Sequence, residues 1–115
     1  MKELRMFVRE NTWGHGLVDH GWGNGYVILP VGHPSHGKGY DDIDVEVHGG
    51  LTFSESAEGL KWPEILPDDA DGWVVGFDTA HYGDTFASWW KEAVVTETQR
   101  LMEQLSRQDK LINGQ

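Results

Sequence analysis

Hydrophobic and polar positions along the chain fall into short extended runs followed by one long helical stripe. Leu-Arg-Met-Phe-Val at 4–8 predicts a first strand, and Tyr-Val-Ile-Leu-Pro-Val at 26–31 a second, with Pro30 weakening its end. Residues 43–48 alternate most cleanly: Ile43, Val45 and Val47 mark one face, Asp44, Glu46 and His48 the other. Gly49-Gly50 interrupts that run, and Leu51-Thr52-Phe53 resumes it. Residues 54–72 form an acidic connection with Pro63 and Pro67, and Trp-Val-Val-Gly-Phe-Asp at 73–78 predicts a central strand. From about Ser88 to Leu111 the period becomes helical. Trp90, Val94, Glu97/Thr98, Leu101, Leu105 and Ile112 recur at three to four residues, and Asn113-Gly114 provides a stop. These elements predict an α+β domain: a mainly antiparallel sheet of four to five strands with one long C-terminal helix packed on it. Trp89 and Trp90 are then expected to seal the helix–sheet interface. Leu60, Trp62, Ile65 and Leu66 are expected at the core edge or around a pocket.

Length and charge narrow the possibilities. The 115 residues are expected to form a single domain, 1–115. Without Cys, the chain has no disulfide, thiolate metal site or Cys nucleophile. No apolar run is long enough to span a membrane, and Met1 leads into mixed charge rather than an apolar leader. A cytoplasmic protein is therefore expected. The formal charge is −10. Basic residues gather at the two ends; from Glu10 to Trp90 only Lys38 and Lys61 interrupt fourteen acidic side chains. Duplex nucleic acid requires a basic stripe to replace its counterions, so it is not an expected partner. A small anionic ligand is compatible with a few local donors, and Lys38 stands out for that role.

Four stretches could carry chemistry. His33-Pro34-Ser35-His36-Gly37-Lys38-Gly39-Tyr40 combines bare backbone with a cation, a hydroxyl and imidazoles, as an anion-binding loop does. It lacks the phosphate-loop spacing, and an ordinary Gly/Pro turn explains it equally well. Val47-His48-Gly49-Gly50-Leu51-Thr52-Phe53-Ser54 puts an imidazole beside glycines at an expected strand end; a bulge with a hydrogen-bonded His is the plainer alternative. Gly76-Phe77-Asp78-Thr79-Ala80-His81-Tyr82-Gly83-Asp84 leaves a hydrophobic strand with an Asp-x-x-His-x-x-Asp array. That array suits a base with its orienting carboxylate, or two or three metal ligands that His48 could complete. Spacing alone assigns no metal and no cofactor. The plainer alternative makes Asp84 the cap of the final helix. Trp13-Gly14-His15-Gly16 with His20-Gly21-Trp22-Gly23 suits a flap or an aromatic platform, with Trp22 as the stacking residue, or a Gly-rich hairpin that packs its Trp into the core.

The combination His33-Pro34-x-x-Gly37-Lys38-x-Tyr40, Val47-His48-Gly49-Gly50-Leu51-Thr52-Phe53-Ser54 and Gly76-Phe77-Asp78-Thr79-Ala80-His81-x-Gly83-Asp84 resembles a family of small uncharacterised proteins of tailed bacteriophages and actinobacteria. The likeness runs from about Gly23 into the final helix. Members of that family often carry Cys at the position of Thr79, which would make thiol chemistry there dispensable. The resemblance implies a phage setting and one shared site containing Lys38, His48, Asp78, His81 and Asp84. It implies no particular reaction.

Three functional readings follow. The first is a binding protein for a phosphorylated ring compound, nucleotide-like, acting in anti-defense as a sponge for a host immune signal. Its expected ligand contacts are His33, His36, Lys38, Tyr40, His48, Asp78, His81, Asp84 and Trp22. A homo-oligomer is expected, with the amphipathic final helix as interface. The second is a small phosphoester or nucleotide hydrolase whose catalytic residues are His48, Asp78, His81 and Asp84, with or without a metal. The third is an acidic protein-interaction inhibitor that imitates nucleic acid.

Overall fold

A computed structural model describes residues 2–12 and 19–112 of the chain. Four strands form one sheet: β1 (Arg5–Glu10), β2 (Gly23–Leu29), β3 (Phe53–Ser56) and β4 (Trp73–Phe77), followed by helix α1 (Lys91–Ile112). Their spatial order is β1-β2-β4-β3, and every neighbouring pair is antiparallel. This is the α+β arrangement that the pattern predicts, with 73–78 central as expected. Among the described residues, no helix is long and apolar enough to cross a membrane.

Strand alternation gives the sheet two buried faces. Val27, Leu29, Val75 and Phe77 point toward α1, joined by Met6 and Val8 of β1. Val94, Thr98, Leu101 and Leu105 meet them from the helix, all fully buried. Their spacing of 4, 3 and 4 keeps the stripe on one side of a 3.6-residue helix. Gly25 lets the helix come this close, because a Cβ there would lie 2.0 Å from the Thr98 hydroxyl. The opposite face holds Tyr26, Ile28 and Val74, covered by Ala57, Phe53, Leu60, Trp62 and Ile65. Tyr26, Phe53 and Trp62 make edge and stacked ring contacts there. Arg9 lies over the Trp62 ring at 4.3 Å, and Arg5 holds Asp69 through Nε at 3.2 Å and Nη2 at 2.5 Å.

Several expectations are corrected. Residues 43–48 are not a strand. Ile43 and Val47 are buried as their alternation requires, but the segment runs beside α1 and pairs with no strand. Side chains of the helix take its backbone groups instead. Gln104 accepts from the Glu46 N–H at 2.7 Å and donates to the Glu46 carbonyl at 2.7 Å. Gln108 donates to the Asp44 carbonyl at 3.1 Å, and Glu97 accepts from the His48 N–H at 2.8 Å. The helix begins at Lys91, not Ser88. Trp90 therefore stands just outside its first turn and is 48% exposed, so only Trp89 packs against the core. Leu60, Trp62 and Ile65 cap the second face as expected, whereas Leu66 is half exposed. The Trp13–Gly16 stretch and the Asn113-Gly114 stop lie outside the described residues.

Candidate functional site: a buried carboxylate between two imidazoles

β4 ends at Phe77, and the chain then turns sharply through 78–84. Asp78 organises the turn by accepting the Ala80 N–H at 3.0 Å and the Thr52 hydroxyl at 2.9 Å. Thr79 is fully buried and donates to the Gly23 carbonyl at 2.6 Å, while its own carbonyl accepts from the Gly21 N–H at 2.7 Å. Its hydroxyl is thus a structural tie to the start of β2. Asp84 does not cap α1. It is 7% exposed and turned inward, where Oδ2 accepts the His81 N–H at 2.8 Å and faces His81 Nδ1 at 2.9 Å. Oδ1 faces His48 Nε2 at 2.8 Å. One carboxylate therefore joins two imidazoles from segments more than thirty residues apart in sequence.

The surroundings hold both rings in place. His48 lies against the Trp89 indole, with ring centroids 4.1 Å apart. Its backbone is anchored to α1 through Glu97, which Arg100 also grips at 2.9 and 3.0 Å. Gly49 has φ +70°, and a Cβ there would lie 2.3 Å from the His81 ring. Only glycine lets the 48–50 turn pass so close to that imidazole. His81 Nε2 faces Asp78 Oδ1 at 3.5 Å, so this ring sits between two carboxylates.

Burial pushes the Asp84 carboxyl upward, but donors from the His81 backbone, the His81 ring and the His48 ring outweigh it and hold the group below the usual aspartate value. Asp84 is thus an anion at neutral pH. Arg100 has the largest effect on Glu97; with the His48 N–H it overcomes burial and holds that carboxyl low as well.

The structure brings together His48, Asp78, His81 and Asp84. Trp22 lies next to this group, its backbone N–H donating to the carbonyl of Trp89, which packs on His48, whereas His33, His36, Lys38 and Tyr40 are held by other contacts. His33 is buried, accepts the Ser35 N–H on Nδ1 at 3.0 Å and faces the Leu105 carbonyl with Nε2 at 2.8 Å; it ties its loop to the helix. His36 Nε2 lies 2.8 Å from the Asp71 carbonyl, and the Lys38 carbonyl accepts the Trp73 indole N–H at 2.8 Å. These contacts put the Lys38 loop at the start of β4, whereas the imidazole pair lies beyond its end. Tyr40 is half exposed and its N–H donates to the Ser54 hydroxyl at 3.1 Å. Trp22 packs against the core, with the Lys91 ammonium 5.7 Å from its ring centroid.

Sequence reasoning did not single out Thr52, Trp89 or Glu97 as site residues. Glu97 carried a signal, since it is a charge at the border of an otherwise apolar helical stripe. Comparison with protein-family models, curated proteins and solved structures finds no match for this chain.

Proposed function

We propose that this chain is a small hydrolase that cleaves a phosphoester in a ring-bearing, nucleotide-like substrate at the His48–His81–Asp84 cluster. The observation that carries this reading is a single buried, ionised carboxylate holding two imidazoles in fixed orientation. An oriented imidazole is the commonest group for moving protons at neutral pH, and a carboxylate behind it fixes the ring and stabilises its charged form. Hydrolysis needs two such transfers. A proton leaves the attacking water as its oxygen bonds to phosphorus, and a proton reaches the departing ester oxygen as that bond breaks. The segment that carries His81 and Asp84 also carries Tyr82, fully exposed, and continues into the half-exposed Phe86 and Trp90. Exposed aromatic rings beside such a cluster suit the stacking of a base.

The sponge reading uses Lys38 with several His and Trp; the Lys38 carbonyl accepts the Trp73 indole N–H at the first residue of β4, and no hydrogen bond or ion pair joins that loop to the imidazole pair among the described residues. The motif resemblance to small bacteriophage proteins supports a phage setting. There the substrate would be a host nucleotide signal in the cytoplasm of an infected cell, removed by cleavage. The apolar stripe of α1, which the sequence offers as an interface between copies, is covered by this chain's own sheet.

The test is a mass balance on purified protein with a panel of linear and cyclic nucleotides, followed by mass spectrometry of the free and bound fractions. Conversion of one compound to product is expected, reduced by about 10²–10⁴-fold in His81→Ala. A compound retained and released intact would replace hydrolysis by sequestration. No change in any compound would point to the acidic surface and a protein partner.

A further inference from the structure

We propose that His48, His81 and Asp84 form a binding site for one divalent transition-metal ion of the zinc class. The inference rests on the hydrolase reading and deepens it: with an ion bound, the two imidazoles would serve as ligands rather than proton carriers, and the ion would activate the attacking water.

The first argument is geometric. One ligand atom from each of the three residues lies within 4.8 Å of the other two. The closest contacts are 2.8 Å from His48 Nε2 to Asp84 and 2.9 Å from His81 Nδ1 to Asp84. Ligands about 2.0–2.1 Å from a tetrahedral zinc ion stand about 3.3 Å apart. The two carboxylate contacts, which use different Asp84 oxygens, would lengthen by about half an ångström, and the widest pair, at up to 4.8 Å, would close by about 1.5 Å to enclose an ion.

The second argument counts donors. Both ring nitrogens of His81 face a carboxylate oxygen: Nδ1 faces Asp84 and Nε2 faces Asp78. A neutral imidazole has one N–H, so one nitrogen would point a lone pair at an anion. An ion on Nδ1 removes this conflict. It would take the Nδ1 lone pair and leave the ring proton on Nε2, which lies 3.5 Å from Asp78 Oδ1. A metal-bound imidazole whose second nitrogen donates to a carboxylate is the usual outer-shell arrangement in such sites. Asp78 is itself fixed by Thr52 and the Ala80 N–H. The third argument is charge. A phosphoester would meet Asp84 and Asp78 here, two carboxylates, and a bound cation supplies the attraction they cannot. Three protein ligands leave a position for water or substrate, as in catalytic rather than structural sites. Two nitrogens and one oxygen suit zinc, cobalt or nickel better than magnesium or calcium.

The experiment uses the untagged, chelator-stripped full chain, titrated with Zn²⁺ by calorimetry and with Co²⁺ by visible absorption. We expect about one ion per chain and the intense visible bands of low-coordinate Co²⁺. His48→Ala and His81→Ala should abolish both signals. Asp78→Asn should weaken binding by about 10–100-fold, as loss of an outer-shell partner does. His36→Ala, on the far loop, should bind as the unaltered chain does. Absence of Zn²⁺ binding and of Co²⁺ bands in the unaltered chain would overturn the proposal; this result does not depend on how any variant folds. Binding that persists in a His48→Ala, His81→Ala double variant would also overturn it. Nucleotide cleavage that continues undiminished in chelator would overturn the metal site and keep the hydrolase. Stoichiometric binding without cleavage of any nucleotide would keep the metal site and remove the hydrolase.

Discussion

Asp84 and Gly49 do their work by opposite means. Asp84 contributes an anion that accepts the His81 N–H and faces one nitrogen of each imidazole, and so it sets the orientation of both rings. Gly49 contributes the absence of a side chain at φ +70°, where a Cβ would lie 2.3 Å from His81. We expect Gly49→Ala to lower stability by about 1–2 kcal/mol from the left-handed backbone alone, and to displace the His81 ring as well. Urea unfolding measures the first effect and the imidazole resonances in a proton–nitrogen spectrum the second. An unchanged His81 environment in the variant would mean that the turn moves independently of the ring. The two residues also differed in legibility. His48, His81 and Asp84 stand out in sequence as titratable groups beside glycines, a pattern that marks candidate sites. That Asp84 faces inward to both rings, rather than capping the helix, could not be read there. A carboxylate a few residues ahead of a helical stripe satisfies either description until the helix start is located at Lys91.

At the scale of elements, the segment 43–48 is the most instructive. Its period-2 pattern correctly separates buried Ile43 and Val47 from exposed Asp44. The same pattern wrongly predicts a strand, because alternation records which side faces the core and not what fills the backbone hydrogen bonds. Here the amide and carboxylate side chains of α1 fill them, at Gln104, Gln108 and Glu97. This lacing carries His48 to the site. We expect Gln104→Ala to remove two such bonds at a cost of about 1–3 kcal/mol. Amide hydrogen exchange should accelerate at Glu46 and His48 while the β2 and β4 amides keep their protection. Equal acceleration across the sheet would mean that the segment unfolds only with the whole domain. The helix itself was legible because Val94, Thr98, Leu101 and Leu105 obey a 3.6-residue period that needs no partner to be recognised. Its first residue was not, since Trp90 fits the stripe by spacing but falls outside the first turn.

For the whole molecule, acid is the informative perturbation. Arg5 is the chief cause that holds the Asp69 carboxyl below its ordinary value, with burial opposing it. A carboxylate lowered on folding contributes stability that is fully present above its unfolded pKa of about 3.9 and is lost as pH falls through the depressed folded value. Glu97 and Asp84 shift in the same direction. We therefore expect stability to hold from neutrality down to about pH 4 and to fall steeply below it. Asp69→Asn should be less stable at pH 7 and show a shallower acid slope, measured by urea midpoints across pH 2–7. A parallel slope in the variant would mean that the Arg5–Asp69 pair does not contribute to acid sensitivity. Arg5 and Asp69 also link β1 to the 66–70 turn across the second face, so the same measurement reports on how firmly that covering layer is attached.

The amino-acid sequence by itself determined the α+β class, the central place of 73–78, the helix stripe, and the gathering of imidazole and carboxylate side chains after Val47 and Phe77. These features are local: period, glycine placement and residue type act over a few neighbours. The tertiary structure alone decided which extended segments pair, that His48 reaches Asp84 from 36 residues away, and that Lys38 lies at the opposite end of β4. Those outcomes depend on how segments distant along the chain pack and complete each other's hydrogen bonds, and a one-dimensional pattern contains no such distance.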